Sequence, residues 1–121
     1  MPAYSSKLLD HFQNPRNAGD IPGADAVAET ENPVCGDVLR LSLRIDNGKI
    51  VEACFKAKGC VPSIACGSAL TELILGKSVT EARRLTREDL IAAVEALPPA
   101  SNHAADLALD VLRAALNAAS V

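Results

Sequence analysis

The sequence predicts an α+β fold in which a small three-stranded antiparallel sheet packs against four to five helices. Three observations carry this reading. Leu39, Leu41, Leu43 and Ile45 alternate with Arg40, Ser42, Arg44 and Asp46, the period of two expected of a strand with one buried face. Asp46-Asn47-Gly48-Lys49 then supplies a hairpin turn, because Asn-Gly takes positive φ at little cost. Downstream of Gly59, apolar residues recur at helical rather than strand spacing.

Each element follows in order. Ser5 caps a helix over Ser6 to Gln13, with Leu8, Leu9 and Phe12 as its apolar face and Asn14-Pro15 as its stop. A loop rich in Gly, Pro and Asp leads to a weak strand over Ala24 to Thr30. The hairpin's second strand runs from Ile50 to Lys58, with Val51, Ala53, Phe55 and Ala57 expected inward and Cys54 outward beside Glu52 and Lys56. Pro62 suits the first turn of a helix that reaches Leu75, where Gly76 caps it. Short helices are expected over Thr80 to Leu85 and from Thr86 to Ala96, the latter opened by a Thr86…Asp89 capping box. After Leu97-Pro98-Pro99, Ser101 or Asn102 caps a last helix that turns Leu107, Val111, Leu112, Ala115 and Leu116 inward.

Composition narrows the function. The 121 residues suffice for one domain, 1–121, with no repeat or linker. With 49% hydrophobic residues but two Phe, one Tyr and no Trp, the core must be aliphatic. The formal charge of −3 and the lack of a basic stripe with aromatics argue against nucleic-acid binding. No signal-like stretch and no membrane-length apolar run is present, so a cytoplasmic location is expected. Four cysteines in that compartment point to metal, sulfur chemistry or burial rather than disulfides.

The stretch Asn32-Pro33-Val34-Cys35-Gly36-Asp37 places a thiol and a carboxylate two residues apart on a tight loop. Pro33 ends strand pairing, and Gly36 permits positive φ. Both side chains are possible ligands for a metal of borderline softness. Cys60 follows Gly59 at a strand-to-helix junction, where the helix dipole favours thiolate. His103 falls in the first turn of the last helix, a place that suits a neutral, metal-ready imidazole. Cys66 shares a helical stripe with Leu70, Leu73 and Ile74 and reads as core.

The stretch Tyr4-Ser5-Ser6-Lys7-Leu8-Leu9-Asp10-His11-Phe12-Gln13-Asn14-Pro15-Arg16-Asn17 resembles the N-terminal signature of the NifU/IscU-type iron–sulfur cluster assembly scaffolds. So do Asn32 to Asp37, Phe55-Lys56-Ala57-Lys58-Gly59-Cys60, Gly76-Lys77, Leu97-Pro98-Pro99 and the helix from His103, in the right order over nearly the whole chain. The resemblance implies a protein that is not an enzyme but holds a transient [2Fe–2S] cluster. The sulfur would come from a PLP-dependent cysteine desulfurase. The cluster would pass to apo iron–sulfur proteins, in many members with an Hsp70-type chaperone. It also implies that Cys35, Asp37, Cys60 and His103 form the iron- and metal-binding site. Two thiolates, an imidazole and a carboxylate satisfy the four terminal ligands of a [2Fe–2S] core, and equally a tetrahedral zinc.

Several positions depart from the family's pattern. Ala104 stands where relatives carry a third cysteine, the one associated with persulfide uptake. A thiol there is expected close to the site, so Ala104→Cys is expected to speed sulfur transfer. Leu97-Pro98-Pro99-Ala100-Ser101 lacks the lysine of the usual Leu-Pro-Pro-Val-Lys chaperone segment. Cys66 replaces a common serine, and no long insertion separates Cys35 from Cys60. Two other functions compete: a zinc-bound sulfur acceptor that assists a desulfurase, and a cluster-free regulatory relative.

Overall fold

The computed structural model describes residues 4–33 and 36–119. Along these, α1 (Ser6–Gln13) precedes β1 (Ala26–Glu31), β2 (Val38–Asp46) and β3 (Lys49–Lys58). Then come α2 (Val61–Ile74), α3 (Val79–Arg83), α4 (Arg87–Ala93) and α5 (Asn102–Ala118), the last entered through a 3-10 turn at Pro99–Ser101. The strands form one antiparallel sheet in the order β1-β2-β3. Its inner row of Leu39, Leu41, Leu43, Ala53 and Phe55 is buried, and α2 and α5 cover it. The α+β expectation is thus met, with five α-helices among the described residues.

Local chemistry sets most boundaries where the sequence places them. Ser5 Oγ accepts the Leu8 amide at 3.0 Å and caps α1. Asn47 and Gly48 take φ of 52° and 75° in the hairpin turn. The Thr86 and Asp89 side chains each bond the other's backbone, forming the anticipated capping box of α4. A second box, Ser78 with Glu81, opens α3 and went unnoticed in the sequence. Helix α4 stops at Ala93 rather than Ala96, since Glu95 adopts φ of 70° and leaves the helical path.

Two faces differ from the expected pattern. The ladder pairs Arg44 with Glu52 but Ile45 with Ile50, so Val51 is an extra residue at a bulge. The bulge reverses the alternation beyond it: Val51 is 48% exposed and Ile50 is fully buried. In α1 the buried pair is Leu8 and His11, with Leu9 and Phe12 only half covered. His11 tolerates burial because its Nδ1 lies 2.8 Å from Ser68 Oγ on α2, which also accepts the Arg16 amide at 2.8 Å. Burial foremost, with the Arg16 charge next, holds His11 below the usual 6.5.

Helix α2 lies unusually close to the sheet. A Cβ on Gly67 would stand 2.7 Å from Cδ2 of Phe55 and 3.0 Å from Cδ1 of Leu39. This close approach seats the start of α2, and with it the strand-to-helix junction at Cys60, firmly against the end of β3.

Candidate metal centre

The hairpin register brings the first two functional side chains together. Val38 opens β2 and pairs with Lys58, the last residue of β3. The residues just outside the ladder, Asp37 and Gly59, are therefore neighbours at one end of the sheet. Gly36, with φ of 78°, turns the chain into β2, and its amide bonds the Asn32 carbonyl at 2.8 Å. Asn32 in turn donates its amide to the Asp37 carbonyl at 2.8 Å. Gly59 leaves room for the carboxylate, since a Cβ there would be 2.4 Å from Cγ of Asp37. Cys60 then follows as the N-cap residue of α2. The third side chain arrives from the far end of the sequence: α5 packs across β1 and β2 and presents His103 from its first turn.

The donor atoms of Asp37, Cys60 and His103 all lie within 4.8 Å of one another. The Cys60 thiol donates to Asp37 Oδ2 at 3.0 Å and stands 4.0 Å from His103 Nε2. Zinc– or iron-type bond lengths of about 2.0–2.3 Å put adjacent ligand atoms about 3.5 Å apart, so shifts of under about an ångström would close this set on one ion. Asp37 is buried at 6% exposed, whereas Cys60 and His103 are half-buried. His103 Nδ1 lies 3.1 Å from the Ala100 carbonyl, which can only accept. The proton therefore sits on Nδ1, and in the neutral ring Nε2 offers its lone pair toward Cys60. The carbonyl belongs to the Pro99–Ser101 turn, so the Pro98-Pro99 break sets the ring's tautomer.

Of the four residues singled out in the sequence, the structure brings Asp37, Cys60 and His103 together, while Cys35 lies outside the described residues. One electrostatic expectation is corrected. The Cys60 thiol is pushed up, not down, first by burial and then by its hydrogen bond with the Asp37 carboxylate. A second negative charge beside a buried carboxylate outweighs the helix dipole. A bound cation reverses that balance. Ala104, next to His103 in the first turn of α5, is 0% exposed. Sequence reasoning missed Ser63. Its hydroxyl, 1% exposed, donates to Asp37 Oδ2 at 2.7 Å and lies 3.3 Å from Cys60 Sγ. The signal was present in its position three residues after Cys60, on the same side of the first helical turn.

The remaining cysteines stand apart from the centre. Cys66 is fully buried, and burial, helped by the nearness of Cys60, pushes its thiol up to about 12. Cys54 is half-buried on the outer face of the sheet, where burial and then the Glu52 charge raise it. Beside His103 a cleft of about 200 Å³ opens between Glu31, Pro33, Asp106 and Asp110.

The NifU-like N terminal domain family matches residues 3–119. The iron–sulfur cluster assembly scaffold protein IscU 1 of Archaeoglobus fulgidus is 42% identical over 93% of this chain and 74% of that protein. The IscU scaffold of Buchnera aphidicola subsp. Schizaphis graminum is 40% identical over 95% of this chain and 92% of its own length. Among solved structures, the N-terminal NifU-like protein of Brucella abortus shares the fold, with a TM-score of 0.79 at 17% identity over 95% of this chain and 92% of that one. A SUF-system scaffold from Fervidobacterium islandicum superposes with a TM-score of 0.73 at 27% identity, over 93% of this chain and 96% of that one. A match along nearly the full chain, with two-fifths identity to scaffold proteins, places this protein in the NifU-like family of iron–sulfur cluster assembly scaffolds.

Proposed function

We propose that this protein holds a labile [2Fe–2S] cluster through Cys35, Asp37, Cys60 and His103 and passes it to apo-proteins. One observation supports this above the others: a carboxylate, a thiol and an imidazole from three distant parts of the chain converge within 4.8 Å. Iron and sulfur are cargo; a cysteine desulfurase supplies the sulfur as persulfide, and two electrons from a reductant convert it to sulfide. A hard carboxylate is a poor partner for sulfide-bound iron, so Asp37 is the ligand that yields first when the cluster leaves. The half-buried Cys60 and His103 give an acceptor protein access.

Ala104 favours a second reading. Without a third thiol, the same donors hold zinc, and Cys35 or Cys60 receives sulfur from the desulfurase. Metal and acid-labile sulfide analysis after anaerobic purification separates the readings. The cluster reading expects iron and sulfide in equal amounts, lost together in Cys60→Ala. Zinc without sulfide would replace it with the sulfur-acceptor reading. A metal-free protein would leave a regulatory role.

A further inference from the structure

Asp37 carries the burden of being both buried and charged, and what holds it is specific to this site. Its Oδ2 accepts the Ser63 hydroxyl at 2.7 Å and the Cys60 thiol at 3.0 Å, with the Cys60 amide at 3.5 Å. Gly59 supplies the space, since any Cβ would strike Asp37 Cγ. These three residues form a cradle, Gly59-Cys60-x-x-Ser63, built on the two residues before α2 and its first turn. Metal binding converts Cys60 to thiolate and removes its S–H donor. The Ser63 hydroxyl is a donor that survives this change. It does not serve its own helix: its bond crosses 26 residues of sequence, and the N-cap of α2 has no side-chain partner.

We propose that Ser63 is a positioning residue of this centre, its hydroxyl holding the Asp37 carboxylate at Cys60 so that the donor set is assembled before metal arrives. It touches the ligand rather than the metal. Partners of metal ligands of this kind commonly change affinity 10- to 100-fold when removed. The proposal rests on the reading of Asp37, Cys60 and His103 as ligands.

The test uses Co²⁺ as probe on the full chain, read by ligand-field and thiolate charge-transfer absorption. The wild-type protein, Ser63→Ala, Asp37→Ala and the double variant are titrated in parallel, with thermal melts as a check on folding. Ser63→Ala is expected to weaken Co²⁺ binding about 10-fold and to shift the ligand-field bands. In the Asp37→Ala background the same change is expected to do neither, because Ser63 acts through Asp37. Ser63→Thr and Ser63→Val repeat the comparison at equal bulk, so that a packing effect strikes both and only the loss of the hydroxyl in Val weakens binding. Wild-type affinity and bands in Ser63→Ala overturn the proposal. So does a further 10-fold loss in the double variant. A wild-type protein whose Co²⁺ spectrum is indifferent to Cys60→Ala and His103→Ala overturns the ligand reading itself, and with it this one.

Discussion

A Cβ at Gly59 would lie 2.4 Å from Cγ and 2.9 Å from Cβ of Asp37, a short side chain that is itself buried. Gly59→Ala must therefore displace Asp37 or the end of β3. It is expected to cost about 1–3 kcal/mol in denaturant unfolding and to lower Co²⁺ affinity at least about 10-fold. Wild-type affinity in a folded Gly59→Ala protein would refute the cradle geometry. Cys66 predicts the opposite pattern. Its thiol is fully buried beside Leu70 and Ile74 in the core. Cys66→Ala is expected to cost about 1 kcal/mol and leave metal content unchanged. Metal loss in that variant would recast Cys66 as a ligand. His11 adds a pH dependence. Its folded-state value lies below the 6.5 of the free side chain, so the unfolded chain binds more protons as pH falls. The stability involved is full above that value and drains away beneath it. Melting temperature should fall more steeply between about pH 7.5 and about pH 5 in the wild-type protein than in His11→Gln. Equal slopes in the two proteins would acquit His11.

Elements were legible where one local rule decided them. The hairpin was readable because Asn47-Gly48 and the Leu39-to-Leu43 alternation agree, and α1 because its cap and its stop are adjacent in sequence. The rest hid in long-range contacts. The bulge at Val51 depends on the ladder's register, which no residue announces. The burial of His11 depends on Ser68, 57 residues away. At the centre, three ligand types were visible in sequence, but their convergence follows from packing α5 on the sheet, and Ser63 becomes visible only beside Asp37. Helix α1 shows the same dependence. Its packing on α2 rests on Leu8, 0% exposed, and on the Ser68 bonds. Removing residues 1–13 is expected to cost about 3 kcal/mol or more, the scale of one large buried aliphatic plus its polar partners. A truncated protein with an unchanged denaturation midpoint would show that α1 is an appendage.

Over the whole molecule, the centre sits at one end of the sheet, where Val38 pairs with Lys58, and the hairpin turn closes the other end. The turn is itself tied down, with the Gly48 carbonyl accepting the Val79 amide at 2.8 Å. Both ends of the sheet are thus fixed, and its inner face waits for α5. The distances along the chain have a consequence in time. Asp37 and Cys60 are 23 residues apart, whereas His103 comes 43 residues after Cys60. At roughly 5–20 residues per second, the ribosome delivers His103 several seconds after the cysteine. During that interval Leu41 and Leu43 lack the cover that α5 provides, so the two earlier donors stand on a sheet without a finished core. The synthesis of α5, which closes the core, also delivers the imidazole. Arrested nascent chains of increasing length should capture Co²⁺ in a single step, once α5 has cleared the exit tunnel; capture by chains ending before Asn102 would break that coupling. Completion of the fold and assembly of the donor set are then one event.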